Sequence, residues 1–196
     1  MTTLSVIRWG GLGAVLGGVA WIASGFLADI TEAQGLRPGL LTIYLIEGSP
    51  LAGTLFALAA VLFTLPGIAG LHALQQERVT TSGWLGLFII IVVFLGQAFG
   101  TLTYLVVHSP SPIFGLFLNP VVGALGLLVG FVLYSEATMR ANVLPVWCGM
   151  ILTPGMAIAL ALGPNIGNVL FGLFWLAFGY LLLQRAQAYA LSVFPE

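Results

Sequence analysis

Apolar and polar positions segregate into long blocks along this chain, and within each block both parities are apolar, so no strand-like alternation of period two runs through it. Four uncharged stretches stand out: Trp9 to Ala28 with 20 residues, Gly48 to Gln76 with 29, Val79 to Ser135 with 57, and Ala141 to Gln184 with 44. Crossing a hydrocarbon core of about 30 Å takes roughly 20 helical residues at about 1.5 Å each. The first two stretches allow one crossing each, and the last two must each fold back once. The breaks fall at His108-Ser109-Pro110-Ser111-Pro112, whose prolines lack N–H donors and disfavour helix before them, and at Gly163-Pro164-Asn165, a turn signal.

The pattern predicts an all-α integral membrane protein, a six-transmembrane-helix bundle forming one membrane domain over 1–196. Its spans fall near 7–28, 50–73, 84–107, 114–134, 144–162 and 166–184. A closed barrel, the other backbone solution in lipid, requires an alternation the chain lacks. The first apolar run is too long for the h-region of a signal peptide and carries no convincing small-x-small cleavage site, so it is expected to remain as helix one.

Composition agrees. Hydrophobic residues make up 60% and charged residues 6%, against roughly 25% charged in a soluble domain. There is no Lys, and the five Arg are scattered, which excludes nucleic-acid binding and a polybasic lipid-binding segment. The single Cys148 excludes an internal disulfide. With six spans, Arg8, Arg78, Arg140 and Arg185 share one side and Arg37 lies alone on the other, so the positive-inside rule predicts both termini in the cytoplasm. Trp9, Trp84, Trp147 and Tyr134 fall near the same ends of the spans, where amphipathic rings settle at the interface.

Lipid tails are as apolar as the helices they surround, so helices associate largely through small residues that let backbones approach. The 26 glycines supply them: Gly13 with Gly17, Gly96 with Gly100 and Gly126 with Gly130 as small-xxx-small pairs, and Gly11, Gly18 and Gly25 at a spacing of seven. Two stripes on helix one predict neighbours on two sides, either within the bundle or with one stripe meeting another chain. Pro66 and Pro154 lie inside spans and should kink them, adjusting shape or exposing backbone to a ligand.

Few polar groups could carry chemistry. An ionisable residue within a span is expensive and functional by default. Glu47 sits at a hinge between the short apolar segment Leu40 to Ile46 and Pro50, as a wetted interfacial carboxylate or one that handles a ligand or proton. Gln97, beside Gly96 and Gly100 near mid-span, is expected to form an interhelical hydrogen bond or line a cavity. His72 and His108 fall at span ends, where a solvated interfacial histidine is the ordinary outcome and a ligand or proton relay the alternative. No metal-ligand spacing accompanies them, so no metal site is expected, and no cofactor is indicated. Glu136 and Arg140 form a favourable i,i+4 helical pair. No nucleophile elbow, P-loop, HExxH or dinucleotide fingerprint is present.

Asn119-Pro120-Val121 resembles an Asn-Pro-Ala half-helix of the aquaporins, but the second copy is absent, with Gly163-Pro164-Asn165 in its stead. Leu144-Pro145-Val146-Trp147-Cys148-Gly149 resembles a Leu-Pro-x-Trp-x-Gly helix start of uncharacterised bacterial multi-pass membrane proteins. That resemblance covers one helix and implies a bacterial cytoplasmic membrane without implying an activity. The leading expectation is a non-enzymatic membrane protein: an accessory or assembly subunit of a membrane complex, a homo-oligomer, or a binder of lipid-like molecules. A small transporter or channel using Glu47 and Gln97 is the alternative, and an intramembrane enzyme, needing His72 or His108 against a carboxylate, the third.

Overall fold

The computed structural model describes residues 3–33, 51–107 and 120–193, and these are helical almost throughout. Among the described residues six helices follow one another: α1 (Thr3–Ala33), α2 (Leu51–Gln75), α3 (Thr81–Val107), α4 (Pro120–Ala141), α5 (Val146–Ala161) and α6 (Gly163–Val193). Five contain apolar segments long enough to cross a membrane: Thr3–Leu27, Leu55–Arg78, Thr81–Thr103, Val122–Ala141 and Ile166–Ala188. The sixth, α5, has 16 residues and an axial length of about 24 Å, short of a full hydrocarbon core.

Local chemistry sets the described boundaries. After α2 the chain makes a single 3-10 turn over Gln76–Arg78 and turns extended at Val79. Helix α3 then starts on Thr80, whose Oγ1 accepts the Gly83 N–H at 3.3 Å, an N-cap bond to one of the orphan amides of the first turn. Helix α4 runs seven residues past its expected end at Tyr134, carrying the ion pair between Arg140 and Glu136 at 2.6 Å. It stops where Asn142 takes the left-handed conformation (φ +50°), which asparagine tolerates better than most residues. Between α5 and α6 only Leu162 is non-helical, and Pro164 stands in the first turn of α6, where its missing N–H costs nothing.

Each helix lies beside the next, and α6 closes on α1. The glycines give the register. Gly11 meets Gly179 and Gly18 meets Gly172, an antiparallel seam in which the pairs are seven residues apart on both helices. On the opposite side of α1, Gly10 abuts Gly70, Gly13 lies on Phe63 and Pro66, and Gly17 lies on Thr64 of the antiparallel α2. Gly86 and Gly130 bring α3 and α4 together, again antiparallel, with Gly126 against Val93. Gly149 of α5 rests on Ser135 and Met139 of α4, and the Ser135 hydroxyl donates to the Gly149 carbonyl. This succession puts Arg8, Arg78, Arg140 and Arg185 at one end of the bundle.

Inside the ring, aromatic side chains of the described helices pack against one another. Phe94 of α3 packs edge-on against Phe131 of α4 with centroids 6.5 Å apart, and Phe131 against Phe171 of α6 at 6.2 Å. Phe171 in turn meets Trp21 of α1 at 5.4 Å and Trp175 at 6.0 Å. Trp21, Trp175, Phe94 and Phe131 are all buried, so each edge-to-face pair contributes in a water-free interior. The outer surface is apolar too: Phe26, Phe88, Val106 and Ile166 are exposed, an arrangement suited to lipid. Trp9, Trp84 and Trp147 are exposed near the Arg-bearing end, whereas Tyr134, expected there as an interfacial ring, is fully buried because α4 continues beyond it.

A side chain at Gly18 would meet the Gly172 carbonyl at 2.6 Å, whereas one at Gly53 has only ordinary contact with Leu27 at 3.7 Å. Gly18→Leu is therefore expected to destabilise the bundle by about 2 kcal/mol or more through overpacking. Gly53→Ala should be neutral or gain up to about 1 kcal/mol of helix propensity. Thermal unfolding of the detergent-solubilised protein checks the pair; equal melting of the Gly18 variant and the parent would refute the seam.

Candidate functional site

With so few charges, buried polar side chains are the groups that could carry chemistry, and three groupings emerge. The first links α6, α1 and α2. Asn168 Nδ2 donates to Ser24 Oγ at 3.2 Å, and the Ser24 hydroxyl donates to the Trp21 carbonyl at 2.8 Å. The Trp21 indole N–H donates to Thr64 Oγ1 at 3.1 Å, and the Thr64 hydroxyl donates to the Ala60 carbonyl at 2.7 Å. All four side chains are buried. The chain of bonds crosses three helices and leaves only Asn168 Oδ1 without a partner. It reads as structural glue of the kind that holds membrane helices together.

The second grouping is on α3. Gln97 is buried and its Nε2 has no hydrogen-bond partner; its backbone carbonyl accepts the Thr101 hydroxyl at 2.8 Å, a bond within the helix. The Nε2 therefore takes no part in the interhelical bond expected of this side chain. Gly96 and Gly100 beside it are buried.

The third grouping lies at the Arg-bearing end, between the last turns of α2, the start of α3 and the second half of α4. Both ring nitrogens of His72 are buried without a partner, and the ring packs edge-on against Trp84 with centroids 4.3 Å apart. The expected solvated histidine is instead covered by this indole. One turn on, Gln75 is buried with neither amide atom hydrogen-bonded. The Tyr134 hydroxyl faces the Gln75 side chain outside hydrogen-bond geometry. Beside them, a cavity of about 260 Å3 is lined by Gln75, Glu77, Arg78, Ile7, Leu74 and Val143 among others. Arg78 Nη1 donates to the Ala141 carbonyl at 3.1 Å, which ties the end of α2 to the end of α4.

Of the residues singled out from sequence, Glu47 and His108 lie outside the described residues. His72 and Gln97 belong to separate groupings at opposite halves of the bundle. Gly11, Gly13, Gly17, Gly18, Gly126 and Gly130 all face neighbouring helices of the same chain, and Gly25 is buried. Among the described residues no three His, Cys, Asp or Glu side chains gather as a metal site. Sequence reasoning missed Gln75, Tyr134, Asn168, Ser24 and Thr64. One signal was available for Gln75: it lies three residues after His72, on the same helical face.

An apolar bundle with an apolar exterior defines the class, a helical protein suited to a bilayer. Comparison with protein families, with curated proteins and with solved structures gives no match to this chain.

Thr64→Val removes the acceptor of the Trp21 indole and should cost about 1 kcal/mol. Gln97→Leu removes an amide whose buried Nε2 has no partner and should leave stability unchanged or raise it by about 1 kcal/mol. Chemical unfolding in mixed micelles separates the two; a Gln97 variant less stable than the parent would mean that its amide has a partner.

Proposed function

We propose that the chain is a six-span protein of a bacterial cytoplasmic membrane with both termini cytoplasmic, and that its role is non-enzymatic: an accessory or assembly subunit of a membrane complex, or a holder of lipid-like molecules. The observation that carries this reading is the close packing of the described helices. Trp21, Trp175, Phe94, Phe131 and Phe178 occupy the centre of the ring, and α1 lies against both neighbours at glycine contacts. Packing of this kind suits a body that presents outer faces to lipids or partner chains. The four Arg at one end support the orientation. The antiparallel placement of α5 between α4 and α6 supports the sixth span, with its short axis complemented by the turns that flank it.

A small transporter is the second reading, favoured by the unpartnered Gln97 Nε2 and by Pro66 inside α2. For the third, His72 faces Trp84, so the described residues give that histidine no carboxylate to work with.

Native mass spectrometry of the protein gently extracted from its own membrane is expected to show stoichiometric partner chains or retained lipid. In parallel, proton and potassium flux into vesicles containing the purified protein should match empty vesicles. Flux above that background that Glu47→Gln or Gln97→Leu abolishes would transfer the assignment to transport.

A further inference from the structure

Two pairs of helices share sequence and register. Pro66-Gly67-Ile68-Ala69 in α2 is matched by Pro154-Gly155-Met156-Ala157 in α5, and Ala73-Leu74 and Ala161-Leu162 follow at the same distance. Gly13-Ala14-Val15 in α1 is matched by Gly123-Ala124-Leu125 in α4, with Trp21 and Phe131 equally far beyond. Burial keeps this register: Trp21 and Phe131 are buried, as are Thr64 and Ile68 with their counterparts Leu152 and Met156. The bonding agrees, because the Trp21 indole donates to Thr64 Oγ1 at 3.1 Å and the Thr153 hydroxyl donates to the Phe131 carbonyl at 3.3 Å. Helix α1 lies between α6 and α2, as α4 lies between α3 and α5. Since α1 starts at the Arg-bearing end and α4 finishes there, the matched helices run in opposite senses, as in proteins built from inverted repeats.

The two sets differ at one step. A Cβ at Gly67 would lie 3.0 Å from the Ala14 Cβ of α1 and 3.2 Å from the Trp175 ring of α6, and Gly70 abuts Gly10. At the matched Gly155 a Cβ meets, among the described residues, only Ile151 Cγ2 of its own helix at 3.4 Å, and Ile158, the match of Gly70, is 50% exposed. The arm of α2 beyond its Pro-Gly step is therefore docked, and the arm of α5 beyond its own is not. The docked arm carries His72 and Gln75, whose four side-chain nitrogen and oxygen atoms are buried without a partner. That burial opposes docking, and release toward headgroups and water would satisfy them. We propose that α4–α6 are an inverted repeat of α1–α3 and that this structure is one of two exchanging states. In the other, the α5 arm docks on α4 and the α2 arm swings off α1 about Pro66-Gly67. A proline that interrupts the backbone ladder supplies the hinge of each arm. The glycine seams between α1 and α6 and between α3 and α4 occur in both sets and hold in both states. The inference goes beyond the functional reading above, since a two-state arm serves a partner complex or a solute path alike.

The test uses the full chain in lipid nanodiscs, with Cys148→Ala and spin labels on Arg8→Cys and Glu77→Cys, exposed positions on α1 and just past the α2 arm. Double electron–electron resonance reads the distance between them. Two populations are expected, the longer belonging to the released arm, whereas Arg8→Cys with Arg185→Cys, across the α1–α6 seam, gives one. Gly67→Ala overfills the docked α2 arm and should raise the long-to-short ratio about tenfold. Gly155→Ala fits this state but overfills the docked α5 arm of the other, and should lower the ratio about tenfold. The opposite signs separate exchange from simple loosening, which only broadens the distances. A single distance between the α1 and α2 labels in both the parent and Gly67→Ala overturns the proposal, as do ratios that the two variants leave unchanged or move in the same direction. If Gly67→Ala does not fold, Thr64→Val, which removes the Trp21 acceptor from the same docked interface, is read in its place with the same expected sign. Neither partner chains nor ion flux enter this measurement, so its failure leaves the functional reading standing.

Discussion

Helix α1 meets α6 backbone to backbone at Gly11 with Gly179 and at Gly18 with Gly172, and meets α2 in the same manner at Gly10 with Gly70. In lipid, burying a leucine against a neighbouring helix gains little over leaving it among acyl chains, so dispersion between closely approaching surfaces carries the association. Everything around α1 depends on this approach. It brings Trp21 within reach of Thr64 and Phe171, and Ser24 within reach of Asn168. A Cβ at either seam would push those partners apart, and the indole and amide would lose their bonds along with the contact. The seven-residue period of the α1–α6 seam lets one face of a gently supercoiled pair stay in register over two turns.

The polar interior divides by side-chain type. Thr64, Thr101 and Thr138 each donate to the carbonyl four residues back on their own helix, so a buried threonine hydroxyl needs no help from the tertiary structure. Glutamine, asparagine, histidine and tryptophan cannot close such short loops as readily and must find partners on other helices. Among the described residues, His72, Gln75, Gln97, Asn168 and Trp175 are left with buried unpartnered atoms, together with Tyr134. Where such atoms stand alone, as at Gln97, they mark a local cost.

The positions that sequence reasoning misjudged share one cause. Tyr134 and His72 were expected at the interface because each stands close to a charged residue along the chain. Helix α4, however, runs on through Ser135, Ala137 and Thr138, all buried, before it reaches the exposed Arg140. Likewise α2 buries Gln75 and covers the ring nitrogens of a half-buried His72 before the charges at Glu77 and Arg78 begin. Distance along a helix to the nearest charge measures depth only on the face that charge occupies; on the other faces neighbouring helices decide burial. Gln97 shows the converse: its mid-span position was evident, but whether another helix offers an acceptor there is a property of the packing.

By itself the sequence determined that this chain is helical and apolar and where most of its helices break, because in lipid each backbone N–H and C=O must pair within its own segment and charges or prolines end the run. It also exposed the glycine periodicities, since small residues at fixed spacing are visible without coordinates. Only the tertiary structure decided which helix each stripe meets, that Trp21 and Thr64 share a hydrogen bond, and that Gln75, Glu77 and Arg78 line one cavity. Those outcomes depend on the rotation and register of each helix about its axis. Residues nearly as apolar on every face leave that rotation undetermined until the backbones pack.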